Sequence, residues 1–203
     1  MAGQETRPAR LPRNERRAQL LDVAAQLILE KGVDAVTMEG VAAAAGVSKG
    51  LGYAYFDNSS ALLRTLLERE VENLNGRIAD AVRRERGFEG RLRATVHAWF
   101  DHIEARGVLM GRLLEATRND GPHVEARNEY NRRNERFWAE IAEKELGIPR
   151  ARGEIASAIL LAGLQGVMRR WTECGDDRDE LEAIYLRVTM AGLLALKEDT
   201  VTA

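Results

Sequence analysis

The segment from Thr37 to Phe56 contains the residues whose types and spacing could do chemistry. It reads Thr-Met-Glu-Gly-Val-Ala-Ala-Ala-Ala-Gly-Val-Ser-Lys-Gly-Leu-Gly-Tyr-Ala-Tyr-Phe. No acidic residue occurs between Gly40 and Phe56, although Asp and Glu make up 32 of the 203 residues. A segment without carboxylates does not repel an anionic partner, so this part of the chain is a candidate for anion binding.

The predicted helix that begins at Lys49 contains residues that lower the stability of a helix. Gly50 and Gly52 each cost a helix about 1 kcal/mol relative to alanine, and a cation in the first turn opposes the helix dipole. Both features suit a helix end that meets a phosphate, because glycine lets the backbone approach and Lys49 adds charge. Tyr53 and Tyr55 could donate hydroxyls to phosphate oxygens or pack on sugar and thymine methyl groups. The alternative is that the glycines break the helix and the tyrosines belong to the core.

Two short helices joined at a glycine would position these side chains. Thr37 is placed to cap the first helix, and Ser48 is placed to cap the second, which runs to about residue 55. Gly46 supplies the turn between them. A pair of this size is typical of a helix-turn-helix, in which small residues let the helices cross closely. These small residues are Val41, Ala42, Ala45 and Val47.

The rest of the chain also has the pattern of helices. Apolar residues recur at 3.6-residue spacing, and no segment shows sustained alternation with a period of two. The predicted fold class is all-α, with an N-terminal three-helix unit, a C-terminal helical bundle and about nine helices in all. The remaining predicted helices are one that ends at Lys31, one capped by Asn58 or Ser59, and residues 91–105, 108–118, 123–146, 150–173 and 178–198.

The composition is that of a folded helical protein, with 45% hydrophobic residues and a net charge of −2. The single cysteine, Cys174, excludes an internal disulfide and a cysteine-cluster zinc site. The sequence has no catalytic Ser motif, phosphate-binding glycine-rich loop or metal-ligand cluster, so we expect neither an enzyme nor a cofactor or metal. No apolar run reaches the roughly 18 residues of a membrane span, and no secretory signal is present. We therefore expect a cytoplasmic protein without a membrane partner.

The first 17 residues carry five arginines against two glutamates, which makes the N-terminus basic. Arg7, Arg10 and Arg13 are placed to enter a DNA minor groove, as flexible basic arms do. A solvated tail without a binding role is the alternative.

Residues 15–63 resemble the N-terminal domain of the tetracycline-repressor (TetR) family of bacterial transcription regulators. The resemblance implies a two-fold dimer that places one recognition helix per subunit in successive major grooves of a pseudo-palindromic operator in double-stranded DNA. The matching residues are Ala24-Ala25, Leu27, Lys31-Gly32, Thr37, Val41-Ala42, Ala45-Gly46-Val47-Ser48-Lys49-Gly50, Tyr53, Tyr55-Phe56 and Ala61-Leu62.

The same resemblance implies a role for individual residues. The phosphate contacts would be Thr37, Lys49, Tyr53 and Tyr55. The residues against base edges would be Ser48, Gly50 and Leu51. The implied domains are a flexible basic arm at 1–12, a helix-turn-helix DNA-binding domain at 13–57, and a helical ligand-binding and dimerisation domain at 58–203. Phe56 is better interpreted as core.

The sequence departs from the family pattern in two places. Gly52 stands where the family usually has a large aliphatic residue that anchors the recognition helix. Ser59 and Ser60 stand where the family often has a Lys-Glu pair. We expect a less rigid recognition helix and a salt dependence of DNA binding that is shallower by roughly one unit of slope.

Family analogy also places an effector cavity in the second half of the chain. Bulky rings beside an adaptable methionine would suit a small apolar or aromatic effector. The predicted ligand-binding residues are Trp99, Phe100, Ile103, Met110, Leu113, Leu114, Phe137, Trp138, Ile141 and Gln165. Each aromatic residue could instead belong to an ordinary core.

The last two predicted helices have the pattern of a dimer surface. Apolar residues go almost all the way round the helix at 150–173, more than one domain core requires. The predicted homodimer interface consists of Ile159, Leu160, Gly163, Val167, Ile184, Val188 and Leu193. A buried central helix in a monomer is the alternative.

The function that these observations favour is ligand-responsive, sequence-specific regulation of transcription, with repression as the expected direction. A small-molecule carrier or enzyme on a helical scaffold, without a role in gene regulation, is the alternative. Such a carrier would not need residues 40–56 to be free of acids. A non-specific architectural DNA binder is a third hypothesis, but it predicts a more basic chain than a pI of about 6.0.

Overall fold

A computed structural model describes residues 11–118 and 121–198, and its regular elements there are helical. The α-helices are α1 (Arg13–Lys31), α2 (Met38–Ala44), α3 (Lys49–Tyr53), α4 (Ser59–Arg84), α5 (Gly87–Ala116), α6 (Gly121–Leu146), α7 (Arg150–Arg169) and α8 (Arg178–Glu198). A 3-10 turn at Val33–Ala35 precedes α2, and a π-helical turn at Arg170–Cys174 follows α7. The all-α prediction is confirmed.

The chain divides into two compact units. The first contains the described residues up to Glu68 together with Gly111–Thr117, and the second contains Arg69–Met110 and the described residues from Arg118 onward. This grouping differs from a boundary at residue 57, because the start of α4 supplies buried leucines to the first unit. These leucines are Leu62, Leu63, Leu66 and Leu67.

Helix α1 forms because its apolar residues recur on one side. The buried residues are Leu20, Leu21, Ala24, Ala25, Leu27 and Ile28, which is the 3.6-residue stripe of an amphipathic helix. The helix ends at Gly32, whose φ of +87° is a conformation that glycine adopts without a steric penalty. Its N–H donates to the carbonyl of Ile28 at 3.0 Å.

The described residues contain eight α-helices rather than the nine predicted, because 91–105 and 108–118 are one helix. Gly107 lies in the gap between these two predicted helices, and α5 passes through it. A Cβ atom at Gly107 would lie 2.8 Å from the Cγ2 atom of Ile103. Glycine therefore serves a close side-chain contact within the helix at this position.

The core of the second unit is built from α5, α6, α7 and α8. Phe88 and Trp138 pack edge to face with ring centroids 5.5 Å apart, an arrangement that aromatic pairs prefer. Helices α6 and α7 approach closely at Gly153, where a Cβ atom would lie 3.1 Å from the Cα atom of Ala139. Tyr185 of α8 donates its hydroxyl to the carbonyl of Leu160 in α7 at 2.7 Å.

A buried polar cluster lies between α4 and α5 in the second unit. The Glu70 side chain, 1% exposed, accepts two hydrogen bonds from Arg106, at 3.0 and 2.7 Å. This two-bond geometry compensates for the loss of water around the carboxylate. His102 is also 1% exposed, and neither of its ring nitrogens has a hydrogen-bond partner. Burial is the main cause that lowers the pKa of His102, and Arg77 and Arg106 lower it further, while Glu70 acts in the opposite direction.

No helix in the part of the chain that the structure describes is both long and apolar enough to cross a membrane.

Candidate nucleic-acid interface

The turn between α2 and α3 is a glycine-dependent helix stop. Gly46 has a φ of +67°, and its N–H donates to the carbonyl of Ala43 at 3.1 Å. The N–H of Val47 donates to the carbonyl of Ala42 at 2.9 Å. These two bonds form a Schellman motif, which satisfies the last carbonyls of α2 and sets the direction in which the chain leaves it.

Side-chain oxygens cap the helices around this turn. Thr37 Oγ1 accepts from the N–H of Gly40 at 2.9 Å, and Ser48 Oγ accepts from the N–H of Leu51 at 3.3 Å. Each hydroxyl keeps its own proton available for donation to a ligand. Asn58 caps α4 by accepting from the N–H of Ala61 at 2.8 Å, which settles the choice between Asn58 and Ser59.

Helix α3 has one buried side and one exposed side. Gly52 is buried, whereas Lys49, Gly50 and Tyr53 are exposed. Both glycines lie within the helix and do not end it, and no atom lies within 4 Å of the position of a Cβ at Gly50. The structure therefore excludes the interpretation of Tyr53 as a core residue and leaves the backbone at Gly50 open to approach.

Two further predicted DNA contacts, Leu51 and Tyr55, are partly buried, while Thr37 and Ser48 are exposed. The structure thus places all seven predicted DNA-binding residues between the N-cap of α2 and Tyr55, two residues after the end of α3, with part of each surface accessible. Phe56 is buried, as expected for a core residue.

Lys49 has a neighbour that the sequence argument did not identify. Its ammonium group forms an ion pair with the carboxylate of Glu39 in the first turn of α2, and both side chains are exposed. The Glu39 pKa is lowered and the Lys49 pKa is raised, mainly by the hydrogen bond between the two side chains. Glu39 lies immediately before the acid-free stretch, so a count over residues 40–56 does not include it.

Contacts from α1, α4 and α5 support the pair of short helices within the first unit. The guanidinium of Arg17 lies 5.3 Å from the ring centre of Phe56 and donates to Thr65 Oγ1 at 3.4 Å. Arg112, near the end of α5, donates to the carbonyls of Ile28 and Leu29, the latter at 3.2 Å. A cation suits this place because the last carbonyls of a helix carry partial negative charge. Sequence spacing gave no indication of Arg112.

The basic arm is only partly visible. Arg13 is exposed and is the first residue of α1. Arg7 and Arg10 lie outside the described residues.

The structure brings half of the predicted ligand-binding residues together. Phe100 and Trp138 belong to the core cluster of the second unit. Trp99, Ile103 and Ile141 are partly buried and pack against that cluster.

The other half do not join that cluster. Leu113 is buried in the first unit, and Met110 is buried elsewhere in the second. Leu114, Phe137 and Gln165 are exposed. The prediction of one cavity lined by all ten residues is wrong for this structure, because a helical period places apolar residues but does not decide which helix faces which.

A small cavity does lie within the core of the second unit. Its volume is about 30 Å³, room for about one water molecule, and its lining is mainly apolar. Trp138 is the one predicted ligand residue among its lining residues, and Thr95, Ser157 and Tyr185 supply the polar groups. A pocket for a drug-sized ligand needs roughly 300 Å³ or more, so this core cavity is too small for such a ligand.

The predicted dimer residues divide by exposure. Ile159 is 66% exposed and Val188 is 65% exposed, which is unusual for large apolar side chains. Gly163 and Ile184 are also exposed. Leu160 and Val167 are partly buried against the core. The prediction that Leu193 belongs to the dimer interface needs correction, because this residue is buried in the core of its own subunit and offers little surface to a partner.

Two exposed apolar residues extend the surface beyond the prediction. Ile155 lies one turn before Ile159 on α7, and Leu194 lies near the end of α8.

Among the described residues, no group of three or more His, Cys, Asp and Glu side chains is arranged to hold a metal ion.

These observations define a class of protein. Two short helices joined by a glycine stop, with a lysine, a tyrosine and an open glycine on the exposed side of the second, form the helix-turn-helix of a DNA-binding protein. Comparison with known proteins identifies the family. The family described as "Bacterial regulatory proteins, tetR family" matches residues 20–66.

The transcriptional regulator BetI of Burkholderia mallei is 30% identical over 182 residues, which cover 86% of this chain and 90% of BetI. The transcriptional activator FasR of Mycolicibacterium smegmatis is 42% identical over 103 residues, which cover 51% of this chain but only 47% of FasR. A solved TetR-like transcriptional regulator from Rhodococcus sp. RHA1 shares the fold, with a TM-score of 0.72 at 20% identity over 91% of this chain and 98% of that chain. The chain belongs to the TetR family of transcription regulators. Like its relative BetI, it has the helix-turn-helix of a transcriptional regulator.

Proposed function

We propose that this protein is a homodimeric repressor that binds a pseudo-palindromic operator through α3 and leaves it when a small apolar or aromatic effector binds the second unit. The observation that carries the proposal is the exposed side of the helix-turn-helix, where Lys49, Gly50 and Tyr53 lie together beside two capping hydroxyls. In this arrangement Thr37, Lys49, Tyr53 and Tyr55 contact phosphates, and Ser48, Gly50 and Leu51 lie against base edges.

The DNA-binding part is tested by selection of genomic duplexes on the purified protein, followed by footprinting. A specific regulator prefers its site over random DNA by about 10³-fold or more. K49A is expected to weaken operator binding and to reduce the slope of affinity against salt. K31A is the matched control, because Lys31 is an exposed lysine in the last turn of α1, outside α2 and α3. Equal effects of K49A and K31A would contradict the assignment of Lys49.

The proposed response to an effector depends on the small cavity in the core of the second unit. A cavity of about 30 Å³ cannot hold a drug-sized molecule, so an effector that enters this core would stabilise a second packing of α5 to α8 in which the cavity is larger. An effector shifts the equilibrium only by its difference in affinity for the two states, commonly 1–3 kcal/mol. A compound that raises the melting temperature through this core must also change operator affinity. A compound that does the first and not the second would contradict effector control.

The dimer part rests on the exposed apolar surface of α7 and α8. Exposed branched side chains rimmed by charge mark an association surface. A groove of about 450 Å³ opens between the two helices beside them, and the lining includes Ile155, Ile159 and Gly192. Helices from two subunits that pack through this face would form a four-helix interface with two-fold symmetry.

The arm part is tested by deletion of residues 1–12. If Arg7 and Arg10 enter the minor groove beside α3, the truncated protein binds its operator more weakly and with a smaller salt slope. Unchanged affinity would leave the arm without a role in binding.

The proposed site of action is the cytoplasm, where bacterial DNA is found.

A further inference from the structure

Glu39 is a carboxylate that touches one of the predicted phosphate contacts. It lies in the first turn of α2, two residues after the capping Thr37, and its carboxylate pairs with the ammonium of Lys49. The ammonium of Lys49 also lies 5.8 Å from the ring centre of Tyr53. The cation that should meet the DNA backbone is therefore already held by an anion of the same protein.

We propose that Glu39 is an affinity-setting residue, which competes with DNA phosphate for Lys49 and so weakens DNA binding. The proposal rests on the proposed role of α3 in DNA contact. It assigns Glu39 a function that stability does not explain, since an exposed ion pair contributes little to folding.

The effect follows from an exchange of partners. When DNA arrives, Lys49 must give up one carboxylate in order to gain one phosphate, and the attraction gained is offset by the attraction lost. The released Glu39 then faces a polyanion at short range. One lysine therefore contributes little net charge to the interface, and the number of counterions released falls by about one for each α3 bound.

Weakened binding is useful to a regulator that must be released. A coupling energy of 1–3 kcal/mol changes affinity by only about 5-fold to 150-fold. A very tight operator complex would remain occupied after such a change. A carboxylate that holds down the affinity keeps the operator complex within the range that an effector can reverse.

The test compares the unmodified protein with four variants on one operator duplex and on a random duplex, with fluorescence anisotropy at salt concentrations from 50 to 200 mM. The variants are E39Q, K49Q and the double variant E39Q/K49Q. E39Q keeps the size of the side chain and removes its charge. D34N is the matched control, because Asp34 is an exposed acid in the turn before α2 and it is not the ion-pair partner of Lys49.

E39Q is expected to bind both duplexes more tightly. Its salt slope should be steeper by about 0.9 for each bound α3. If E39Q and the unmodified protein have equal affinities near 1 M salt, this slope corresponds to a gain in affinity of about fourfold at 200 mM and about fifteenfold at 50 mM for each bound α3. D34N should produce less than a third of that change in slope. In the K49Q background the E39Q gain should fall by more than half, because the competition needs Lys49.

Three results separate the two proposals. The role of Glu39 is overturned if E39Q leaves the affinity unchanged, if its gain equals that of D34N, or if its gain is equally large in the K49Q background. In each of these cases, normal operator binding by the unmodified protein leaves the DNA-binding function standing. Failure of the unmodified protein to prefer any duplex overturns both. Unfolding measurements on E39Q check that α2 is intact, since a lost helix would lower affinity and not raise it.

Discussion

The terminal methyl carbon of Met38 lies 3.5 Å from the position that a Cβ atom would occupy at Gly52. Both residues are buried, so the side chain of Met38 fills space beside the recognition helix. The family usually has a large aliphatic residue at the position of Gly52. In this chain the bulk comes from α2, and the unbranched methionine reaches the place where the missing side chain would be.

This relationship predicts that G52A stabilises the protein. The new methyl group would meet Met38 and Ala42 at ordinary contact distances of 3.5 and 3.7 Å, and alanine gains about 1 kcal/mol of helix propensity over glycine. We expect an increase of about 1 kcal/mol in the free energy of unfolding, measured with urea. A decrease would show that α3 needs the flexibility of Gly52.

G153A is the contrasting glycine substitution. Its methyl group would lie 3.1 Å from a backbone atom of Ala139, which cannot move away without separating α6 from α7. Overpacking of this kind costs about 1–3 kcal/mol. The two variants should therefore change stability in opposite directions although both add one methyl group to a buried helical glycine.

The salt dependence of operator binding should increase in S59K. Ser59 is the first residue of α4, beside the capping Asn58, and no acidic residue occurs in that first turn. A lysine here would neutralise one more phosphate and steepen the salt slope by about 0.9 for each bound α3. S59Q controls for the longer side chain without its charge. Identical slopes for S59K and S59Q would place this position away from the DNA backbone.

The dimer should dissociate when charge is added to its proposed surface. I159E and V188E replace exposed branched residues that, in a dimer, would be buried without a partner for a carboxylate. Light scattering at micromolar concentration should give a monomer for both variants and a dimer for the unmodified chain. V108E is the control, because Val108 is 61% exposed on α5, away from α7 and α8. A monomeric unmodified protein would contradict the interface.

The stability of the protein should fall when the pH decreases below about 6.5, and part of that loss should come from His102. Burial lowers the pKa of His102 in the folded state from its ordinary value of 6.5. The unfolded chain therefore binds a proton more readily, so stability is retained above pH 6.5 and is lost as the pH falls through the folded pKa.

H102L should remove this contribution. Leucine has no proton to bind and leaves no ring nitrogen unpaired in the core. Urea unfolding of both proteins between pH 5 and 7.5 measures the difference, whose slope cannot exceed about 1.4 kcal/mol per pH unit for one group. Parallel pH profiles would show that His102 does not titrate differently in the folded and unfolded states.

The sequence by itself determined the local structure of this protein. Helical period, caps at Thr37 and Ser48 and the stop at Gly46 depend on neighbours within a few residues, so they can be recognised without a tertiary structure. The helix-turn-helix followed from that local information, whereas the roles of individual residues in DNA contact came from the family resemblance. The merged α5 is an exception, because a glycine that favours a tight side-chain contact looks the same in sequence as one that ends a helix.

Tertiary structure decided which side chains meet across helices. Glu39 meets Lys49 because the turn at Gly46 folds α3 back toward α2, although ten residues separate them in the chain. Leu193 and Val188 have the same apolar chemistry on the same helix, yet one is buried and the other exposed. Periodicity identifies the apolar positions of a helix, but only the packing of α7 against α8 determines which of them face the core and which remain for a partner.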